Sequence, residues 1–387
     1  MGAVNRAPFV ETWRRMRGEP TDRALAAIER ATVDDVRAAL KRRPVSGAGF
    51  LALLSSAADG AIDDVEGAAR DLTAQRFGRV INLYIPLYLS SHCVNNCAYC
   101  GFGQNREFPR KTLTLDEVRN EGERLLREGY RNVLLVAGED PREVDVDYLE
   151  RCVKLMKAIG FAFVSVEVGP VEVADYRRLG AAGLDGVTVY QETYDEALYD
   201  RVHLTGPKKR FVHRMAAAER VAEAGIRSVG VGFLLGLADW RKEALALAAH
   251  VKYLNKTFWQ TSVSISFPRI KEAPGDFLAT RARPVSDAEL KRLIFAMRLL
   301  NPDATLTLST REPAALRDRL FGAGINQASA GSKTSPGAYT DLKPEDHTGE
   351  QFPVVDERTP QEVMTAIKGR GLEWVFKDWD ATLKPVS

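Results

Sequence analysis

Three of the four cysteines in this chain lie within eight residues of one another. Cys93, Cys97 and Cys100 have the spacing C-x3-C-x2-C, and Gly101 and Gly103 follow them. Three thiolates on one short segment can converge on one metal centre, and thiolates favour zinc or iron–sulfur clusters. A cubane cluster has four irons, so three cysteines leave one iron without a protein ligand. Such an open iron can bind a substrate and take part in chemistry.

A zinc site and a set of unrelated buried thiols are the alternatives that the cysteines leave open. A structural zinc site needs four ligands. His92 adjoins Cys93, but neighbouring side chains on an extended segment diverge, and Cys152 is predicted to be a small buried residue in a helix. The three thiols could also be unrelated buried residues, although Gly101 and Gly103 indicate a close approach of the backbone. Four cysteines in 387 residues exclude a disulfide scaffold.

The charge balance and the termini exclude several classes of partner. The chain has 54 basic and 52 acidic residues, a net charge of +2, which argues against a nucleic-acid partner and a polybasic membrane anchor. No apolar stretch approaches the roughly 20 residues that a membrane span needs. The N-terminus shows neither a signal peptide nor a myristoylation signal. We therefore expect a cytoplasmic protein.

From residue 80 onwards, short β-branched or aromatic runs alternate with amphipathic stretches that are long enough for helices. The runs cover residues 82–89, 132–138, 162–168, 185–190, 226–233, 261–267, 304–309 and 325–330. Eight strand–helix alternations predict an α/β fold of the (β/α)8 TIM-barrel type, with a doubly wound open sheet as the alternative. Thr114, Ser286 and Thr359, each with a Glu three residues on, predict helix starts of the capping-box type.

We expect three parts in the chain. A helical extension, residues 1–78, covers one end of the main domain or forms an oligomer contact. The barrel takes residues 79–340, and a helical tail, residues 341–387, packs on it.

Polar residues recur directly after the predicted strands, where barrel enzymes place their reacting groups. The cysteines follow the first strand. The other positions are Ala137-Gly138-Glu139, Glu167, Gln191-Glu192-Thr193, Pro268-Arg269, Ser309-Thr310-Arg311-Glu312 and Ser329 to Lys333.

The C-x3-C-x2-C spacing with an aromatic residue before the last cysteine resembles the radical S-adenosylmethionine (SAM) enzymes. The resemblance implies that Cys93, Cys97 and Cys100 hold a [4Fe–4S] cluster whose fourth iron chelates SAM. It further implies that one electron cleaves SAM to methionine and a 5′-deoxyadenosyl radical. Such a radical needs a dry, enclosed cavity, which a barrel can provide.

Longer motifs resemble the 2-iminoacetate synthase family, the tyrosine lyases of the thiamine pathway, over roughly residues 82–380. These motifs are YIPLYLSSHCVNNCAYCGF, LLVAGE, GLDGVTVYQETY, VSISFPR, LSTRE, SAGSKTSPGAYTD and VFKDWD. The resemblance implies cleavage of the Cα–Cβ bond of L-tyrosine to p-cresol and 2-iminoacetate for thiazole synthesis. The radical would take hydrogen from the amino nitrogen, and the leaving 4-oxidobenzyl radical would be quenched by an electron and a proton.

Related functions remain as alternatives. The tyrosine lyase of [FeFe]-hydrogenase maturation carries a C-terminal cysteine motif for a second cluster, whereas no cysteine follows Cys152 here. Tryptophan lyases share the barrel motifs and are distinguished less sharply. A non-SAM iron–sulfur electron carrier and a zinc-stabilised binding barrel are alternatives from other classes.

The resemblance also implies roles for individual residues, with no catalytic residue beyond the cluster. Ala137-Gly138-Glu139 would receive the SAM amino group, although the family has Gly where Ala137 stands, and Glu139 could instead be a solvated acid. Polar and backbone contacts to SAM would come from Tyr99, Glu192, Arg214 and Gly232. Packing is the alternative for Tyr99, and a surface ion pair for Arg214.

Arg311, with Ser329, would anchor the substrate carboxylate; the alternative for Arg311 is an ion pair with Glu312. Arg269 would line the same mouth. Such anchoring turns an encounter into a positioned event. The implied partners are L-tyrosine, a flavodoxin- or ferredoxin-type electron donor and thiazole synthase. Two basic groups could receive an acidic donor or be solvated faces: Lys208-Lys209-Arg210, and Arg106 with Arg110 and Lys111.

Overall fold

The strands of the main domain form a closed parallel barrel. A computed structural model describes residues 7–270, 283–340 and 349–377. The described strands are β1 (Val80–Ser90), β2 (Asn96–Cys97), β3 (Asn132–Ala137), β4 (Phe163–Glu167), β5 (Gly186–Thr188), β6 (His203–Thr205), β7 (Ser228–Gly232), β8 (Ser262–Ser266), β9 (Thr305–Leu308), β10 (Gln327–Ser329) and β11 (Glu373–Val375). The barrel order is β1-β3-β4-β5-β7-β8-β9-β10, and β10 pairs back to β1. The predicted (β/α)8 barrel is confirmed, and this last pairing excludes the open sheet.

Alternation along the strands separates an apolar outer face from a mixed inner face. On β1, the outward residues Ile81, Leu83, Ile85, Leu87 and Leu89 are fully buried. The intervening side chains, which include Tyr84 and Tyr88, face the barrel interior. Successive strand side chains point to opposite faces, so one run of residues supplies both the contact with the helices and the wall of a cavity.

Helices cover the outside of the barrel. The described α-helices are α1 (Phe9–Met16), α2 (Glu19–Arg30), α3 (Val33–Ala39), α4 (Gly47–Leu54), α5 (Ile62–Phe77), α6 (Leu115–Arg127), α7 (Val146–Ile159), α8 (Val173–Ala181), α9 (Glu196–Val202), α10 (Phe211–Met215), α11 (Ala217–Glu223), α12 (Trp240–Thr257), α13 (Asp287–Leu300), α14 (Ala314–Leu320) and α15 (Pro360–Gly369). Thr114, Ser286 and Thr359 form the predicted capping boxes of α6, α13 and α15. None of the described helices combines the length and apolar character that crossing a bilayer requires.

The N-terminal helices pack on two helices of the outer ring. The ring of Phe9 stacks on His250 of α12 with 4.1 Å between the ring centroids. The backbone amide of Val45 donates to the carbonyl of Leu299 in α13, and Arg292 of α13 donates to the carbonyl of Ser55. The extension therefore shares one hydrophobic core with the barrel.

The C-terminal part of the chain returns to the first strand. Described residues of the predicted tail form α15 and a short strand, β11, which the sequence pattern did not predict. β11 pairs in parallel with Val80–Asn82 at the start of β1. The remaining residues of that predicted tail, 341–348 and 378–387, lie outside the described residues.

A buried ion pair attaches the segment before α15 to the barrel. Arg317 of α14 is completely buried; its guanidinium donates to the carboxylate of Asp356 and to the carbonyl of Ser329 on β10. Arg358 bridges Asp356 to Asp318 with N–O distances of 2.8 and 2.9 Å. The negative charges of two carboxylates therefore compensate the positive charges of two guanidiniums where the segment meets α14.

The Asp356→Ala variant is expected to lose about 3–5 kcal/mol of unfolding free energy, because it leaves the buried Arg317 cation without its partner. Denaturant-induced unfolding of both proteins measures the difference. The control is Asp303→Ala, which removes an exposed ion pair with Arg76 and should cost no more than about 1 kcal/mol. Equal losses in the two variants would contradict the structural role of the buried pair.

Candidate active site

The three clustered cysteines lie on the loop that connects β1 with α6. Asn96–Cys97 forms the short strand β2, which pairs with β6 in the opposite direction. The amide of Ala98 donates to the carbonyl of Val202 at 2.9 Å. The loop is therefore fixed to the segment that follows β5, across the carboxyl-terminal mouth of the barrel.

The side chain of Arg110 binds several backbone carbonyl groups of the cysteine loop. Its guanidinium donates to the carbonyls of Ser91 (2.6 Å), Phe102 (3.0 Å), Gly103 (2.7 Å) and Arg106 (3.2 Å). One planar cation with several donors can satisfy carbonyls that no sheet or helix pairs. Arg110 is thus a structural element of the loop and not part of a solvated basic face.

The thiols of Cys93, Cys97 and Cys100 are free. Burial is the largest influence on Cys97 and raises its thiol pKa to about 12, against the opposing effect of Lys208. Burial also raises the pKa of Cys100. Such buried thiols become thiolates when a metal centre compensates their charge. Glycine completes the fit, because a Cβ on Gly101 would lie 2.2 Å from the carbonyl oxygen of Glu350.

The donor set fits an iron–sulfur cluster better than a single ion. Within the described ranges, no group of three His, Cys, Asp or Glu side chains is arranged to hold one metal ion. In a cubane the thiolates bind separate irons and need not converge on one point. The three cysteines could therefore hold a [4Fe–4S] cluster.

The segment after β3 lies directly against this loop. A Cβ on Gly138 would lie 2.2 Å from the carbonyl oxygen of His92 and 3.0 Å from the Cβ of Cys93, so only glycine fits here. The side-chain amide of Asn95 donates to the carboxylate of Glu139 at 2.7 Å. Glu139 is therefore fixed beside the loop, and the backbone of Ala137 to Glu139 forms one edge of the space next to the thiols.

A buried charge cluster forms the other edge. The Glu192 carboxylate accepts from Lys208 Nζ at 2.7 Å, and Arg214 Nη2 lies 3.5 Å away. Arg214 Nε donates to the carbonyl of Tyr190. Burial, the largest single influence, opposes ionisation of Glu192, but Lys208 and Arg214 outweigh it and lower the pKa of Glu192. The cluster has an excess positive charge, which suits a carboxylate ligand.

Glu192 has a backbone φ of 69°, in the left-handed region that few non-glycine residues adopt. The carbonyl of Glu192 accepts from the amide of Leu234 at 2.8 Å, which pins this conformation against the segment after β7. Strained backbone of this kind is concentrated at functional sites.

Tyr99 is held by a neutral histidine. Its hydroxyl bonds to Nε2 of His203 at 2.7 Å, and Nδ1 of His203 donates to the carbonyl of Tyr199. Burial lowers the pKa of His203 to about 3, so the imidazole stays uncharged. Gly232 lies deeper, where a Cβ would approach the Ser266 carbonyl oxygen to 2.7 Å.

A cavity at the carboxyl-terminal end of the barrel joins this region to the remaining predicted residues. Its wall is lined by inward side chains of β1, β3, β4, β5, β8, β9 and β10 and by residues that follow them. They include Tyr84, Tyr88, Leu134, Val136, Glu167, Tyr190, Phe267, Arg311, Ser329, Gln351 and Phe352. Cys93 and Cys100 pack against the same group of apolar side chains that contains Tyr88, Leu134 and Val136. The thiols and the cavity therefore share a wall.

The segment 349–358, which we call the C-terminal strap, crosses above the cavity. Its Gln351 carbonyl accepts from the amide of Gly101, and the Gln351 side chain accepts from the hydroxyl of Tyr88 at 2.6 Å. The centroid of the Phe352 ring lies 3.3 Å from the guanidinium carbon of Arg311. The strap thus touches both the cysteine loop and Arg311.

Most predicted site residues come together here, and some do not. The guanidinium of Arg269 is bound to Glu312, Asp287 and the carbonyl of Val285, and it is absent from the described lining of the cavity. Glu312 therefore pairs with Arg269, and no described carboxylate lies within ion-pair distance of Arg311.

Three groups that the structure puts at the site were not predicted to bind cofactor or substrate, although Lys208 was considered as part of a docking face and Glu167 as a polar residue at a strand end. Lys208 belongs to the Glu192 cluster and not to a surface patch, whereas its neighbour Lys209 pairs with Asp200. Glu167, at the end of β4, faces the cavity, where burial raises its carboxyl pKa to about 7. Its position at a strand end was the available signal. The strap has no periodic pattern that could have revealed it.

Comparisons with known proteins agree with this site. The model of the Radical SAM superfamily matches residues 87–248, and that of the Biotin and Thiamin Synthesis associated domain matches residues 266–373. The chain is 39% identical over 376 residues to the 2-iminoacetate synthases of Escherichia coli and Salmonella typhimurium, covering 97% of this chain and 97% of each relative. The crystal structure of HydG, a maturase of the [FeFe]-hydrogenase, superimposes with a TM-score of 0.88 at 30% identity, covering 94% of this chain and 81% of that chain.

We predict that Cys97→Ala leaves the barrel folded but prevents retention of a complete cluster, because one iron loses its protein ligand. Iron and sulfide analysis after anaerobic reconstitution, with the thermal unfolding midpoint, measures both effects. Cys152→Ala is the matched control, since Cys152 is a buried thiol on α7 away from the loop. Full iron and sulfide content in Cys97→Ala would refute the ligand assignment.

Proposed function

The chain belongs to the 2-iminoacetate synthase family of radical SAM enzymes, and on that premise we propose how its residues cleave L-tyrosine. The enzyme is a carbon–carbon lyase that splits the Cα–Cβ bond of tyrosine to 2-iminoacetate and p-cresol, with a [4Fe–4S] cluster and SAM as cofactors. The product 2-iminoacetate serves the thiazole branch of thiamine synthesis.

The shared wall between thiols and cavity is the observation that supports this assignment of residues. Cys93 and Cys100 pack against the apolar group that contains Tyr88, and the hydroxyl of Tyr88 bonds to the strap beside Arg311. A cofactor held by the thiols and an amino acid held by Arg311 would then meet inside one enclosed space.

Cys93, Cys97 and Cys100 would hold the cluster, and the two edges of the adjoining space would hold SAM. When bound and reduced, the cluster supplies the electron that cleaves SAM to methionine and the hydrogen-abstracting 5′-deoxyadenosyl radical. The Ala137 to Glu139 edge offers carbonyl and carboxylate acceptors for an ammonium group.

The opposite edge offers cations for a carboxylate, because Lys208 and Arg214 bracket Glu192. Tyr99 and Gly232 would contact the nucleoside part of SAM. At Gly232 the backbone packs against the carbonyl oxygen of Ser266, to which a Cβ would come within 2.7 Å, so any contact with SAM would be made by the backbone.

The residues of this chain position the substrate. Arg311 offers paired donors to the tyrosine carboxylate, and Ser329 on β10 lies in the same wall. The stacking of Phe352 on Arg311 holds the guanidinium at the cavity edge. The aromatic walls suit a phenol ring, and the strap excludes water from the mouth. Arg269 has no part in this arrangement, since its donors are occupied.

A hydrogenase-maturation tyrosine lyase is the second candidate, favoured by the similarity to HydG. The 39% identity to 2-iminoacetate synthases over 97% of their length, against 30% identity over 81% of the HydG chain, favours the role in the thiamine pathway. Tyrosine cleavage is common to both functions, so the use of the product separates them.

We propose that a one-electron reductant of the flavodoxin or ferredoxin type supplies the electron and that tyrosine is the substrate. We also propose that the enzyme is located in the cytoplasm and forms a complex with thiazole synthase. We do not include Arg110 and Lys208 in the docking face for the reductant, because both side chains are engaged within the site.

The reconstituted protein is expected to form p-cresol and 5′-deoxyadenosine when it is incubated anaerobically with dithionite, SAM and tyrosine. Chromatography with mass detection measures both products, and incubation without tyrosine is the control. Replacing tyrosine with tryptophan should give no indole product. Absence of 5′-deoxyadenosine in all incubations would refute the radical SAM function, and an indole product would favour a tryptophan lyase.

Arg311→Ala should weaken tyrosine binding by about 10- to 100-fold, because a charge-assisted pair with the carboxylate contributes roughly 1.5–3 kcal/mol. SAM binding should change little. Titration calorimetry of the unreduced holoprotein measures both affinities. Tyramine, which lacks the carboxylate, is the ligand control and should bind the variant and the wild type equally. Equal weakening of SAM and tyrosine would contradict the assigned role.

A further inference from the structure

We propose that Glu167 binds the α-ammonium group of tyrosine and accepts its proton, so that the substrate reacts as a neutral amine. The inference rests on the proposed function, because it takes tyrosine as the ligand of the cavity. It assigns the role of catalytic base to a carboxylate that takes no part in holding the cluster or SAM.

The position of Glu167 follows from strand periodicity. Phe163 and Ser165 of β4 face the barrel interior, whereas Val164 and Val166 point outward and are fully buried. Glu167, two residues beyond Ser165, therefore faces inward at the carboxyl end of the strand and lines the cavity. β4 is third in the barrel order, counted from β1.

Arg311 faces Glu167 from the opposite side of the barrel. It follows β9, which is seventh among the eight strands and so stands across from the third. An anion and a cation on opposite walls of one cavity match the two charges of an amino-acid zwitterion. With the carboxylate on Arg311, the ammonium group is directed towards Glu167.

The Glu167 carboxylate has no hydrogen-bond donor among the described side chains, and it is only partly buried because it borders the cavity. Other buried glutamates of the described chain are satisfied by protein groups. Glu243 accepts from Thr193 and from the amide of Tyr194, and Glu121 accepts from Thr340. A carboxylate left open towards a cavity is available to a cationic ligand.

Glu167 interacts electrostatically with both parts of the site. The charges of Glu192, Lys208 and Arg214 act on it from the cofactor edge, and that of Arg311 acts on it from the substrate anchor. Burial raises its pKa to about 7; Glu192 adds to this effect, and three cations oppose it. The titratable groups that influence it or respond to it are Tyr84, Tyr88, Tyr190, Glu192, Lys208, Arg214 and Arg311. A carboxyl with a pKa near the working pH is suited to accept a proton.

The proton transfer is balanced within the pair. The carboxylate of Glu167 and the ammonium group of tyrosine become a carboxylic acid and an amine, and no other reactant is needed. An amine nitrogen loses a hydrogen atom to give a neutral aminyl radical, whereas an ammonium nitrogen would have to give a radical cation. Removing the proton first therefore lowers the barrier to hydrogen abstraction from the nitrogen.

The first test measures binding in anaerobically reconstituted holoprotein with SAM and without reductant, so that tyrosine binds but is not consumed. At pH 8, Glu167→Gln should weaken tyrosine binding about 10- to 100-fold and leave 3-(4-hydroxyphenyl)propanoate, which lacks the amino group, unaffected or bound more tightly. Glu167→Asp should recover part of the loss. Glu243→Gln, the matched control at another buried glutamate with a raised pKa, should leave the preference between the two ligands unchanged.

The pH dependence of binding distinguishes a direct contact of Glu167 with the ammonium group from a merely structural role. A direct contact makes the two ligands respond to pH in opposite directions. Tyrosine must bind to ionised Glu167, so wild-type affinity should fall about tenfold per pH unit below pH 7. The ligand without an amino group should show the reverse, weakening as pH rises through 7, because it brings no cation to the carboxylate. In Glu167→Gln the affinities of the two ligands should no longer change in opposite directions with pH.

The second test addresses the base. In Glu167→Gln with saturating tyrosine, p-cresol formation should be slow at pH 7 and rise about tenfold per pH unit as free tyrosine loses its ammonium proton. The wild-type rate should be nearly flat over that range. A variant rate as flat as the wild-type rate would refute the role of Glu167 as base.

The remaining outcomes separate the inference from the proposed function. If Glu167→Gln changes the preference between tyrosine and phenylalanine but not that between tyrosine and its deaminated analogue, Glu167 faces the phenol and the inference is wrong. If the wild type binds tyrosine and the variant binds it equally well, only the inference fails. If the wild type binds no tyrosine at any pH, the proposed function fails together with it.

Discussion

The buried pair of Arg317 and Asp356 is the interaction on which both halves of the site depend. It fixes the strap to α14 and, through the carbonyl of Ser329, to β10. From there the strap reaches the cysteine loop through Gln351 and Arg311 through Phe352. Because a reactive radical must meet only its substrate, the cover over the mouth is as necessary to the chemistry as the ligands below it.

Buried cations build the rest of the site, each by a different kind of contact. Arg110 bonds to carbonyl groups and shapes the loop, whereas Lys208 and Arg214 offset the charge of Glu192. Arg311 retains donors for a ligand, since no described carboxylate pairs with it. The site thus separates cations that support the structure from one that is available to the substrate, and Glu167 is the corresponding available anion.

The barrel was predictable because its strands carry strong local signals. Alternating aliphatic residues such as Leu83 and Leu87 must face the helices, and the capping boxes fix where helices begin. The cysteine loop was predictable from spacing. The engagement of Lys208 and Arg269 was not, because adjacent basic residues look alike in sequence whether they meet solvent or a carboxylate from a distant strand. The strap was missed for a related reason: its contacts are all long-range and leave no period.

The order of the chain has a consequence for how the enzyme is made. The three thiols are near residue 100, whereas Gln351, which covers Gly101, is some 250 positions later. A growing polypeptide therefore exposes the cysteines well before the ribosome has supplied their cover. The amide of Gly101 therefore gains its partner, the carbonyl of Gln351, only after nearly all of the barrel has been made.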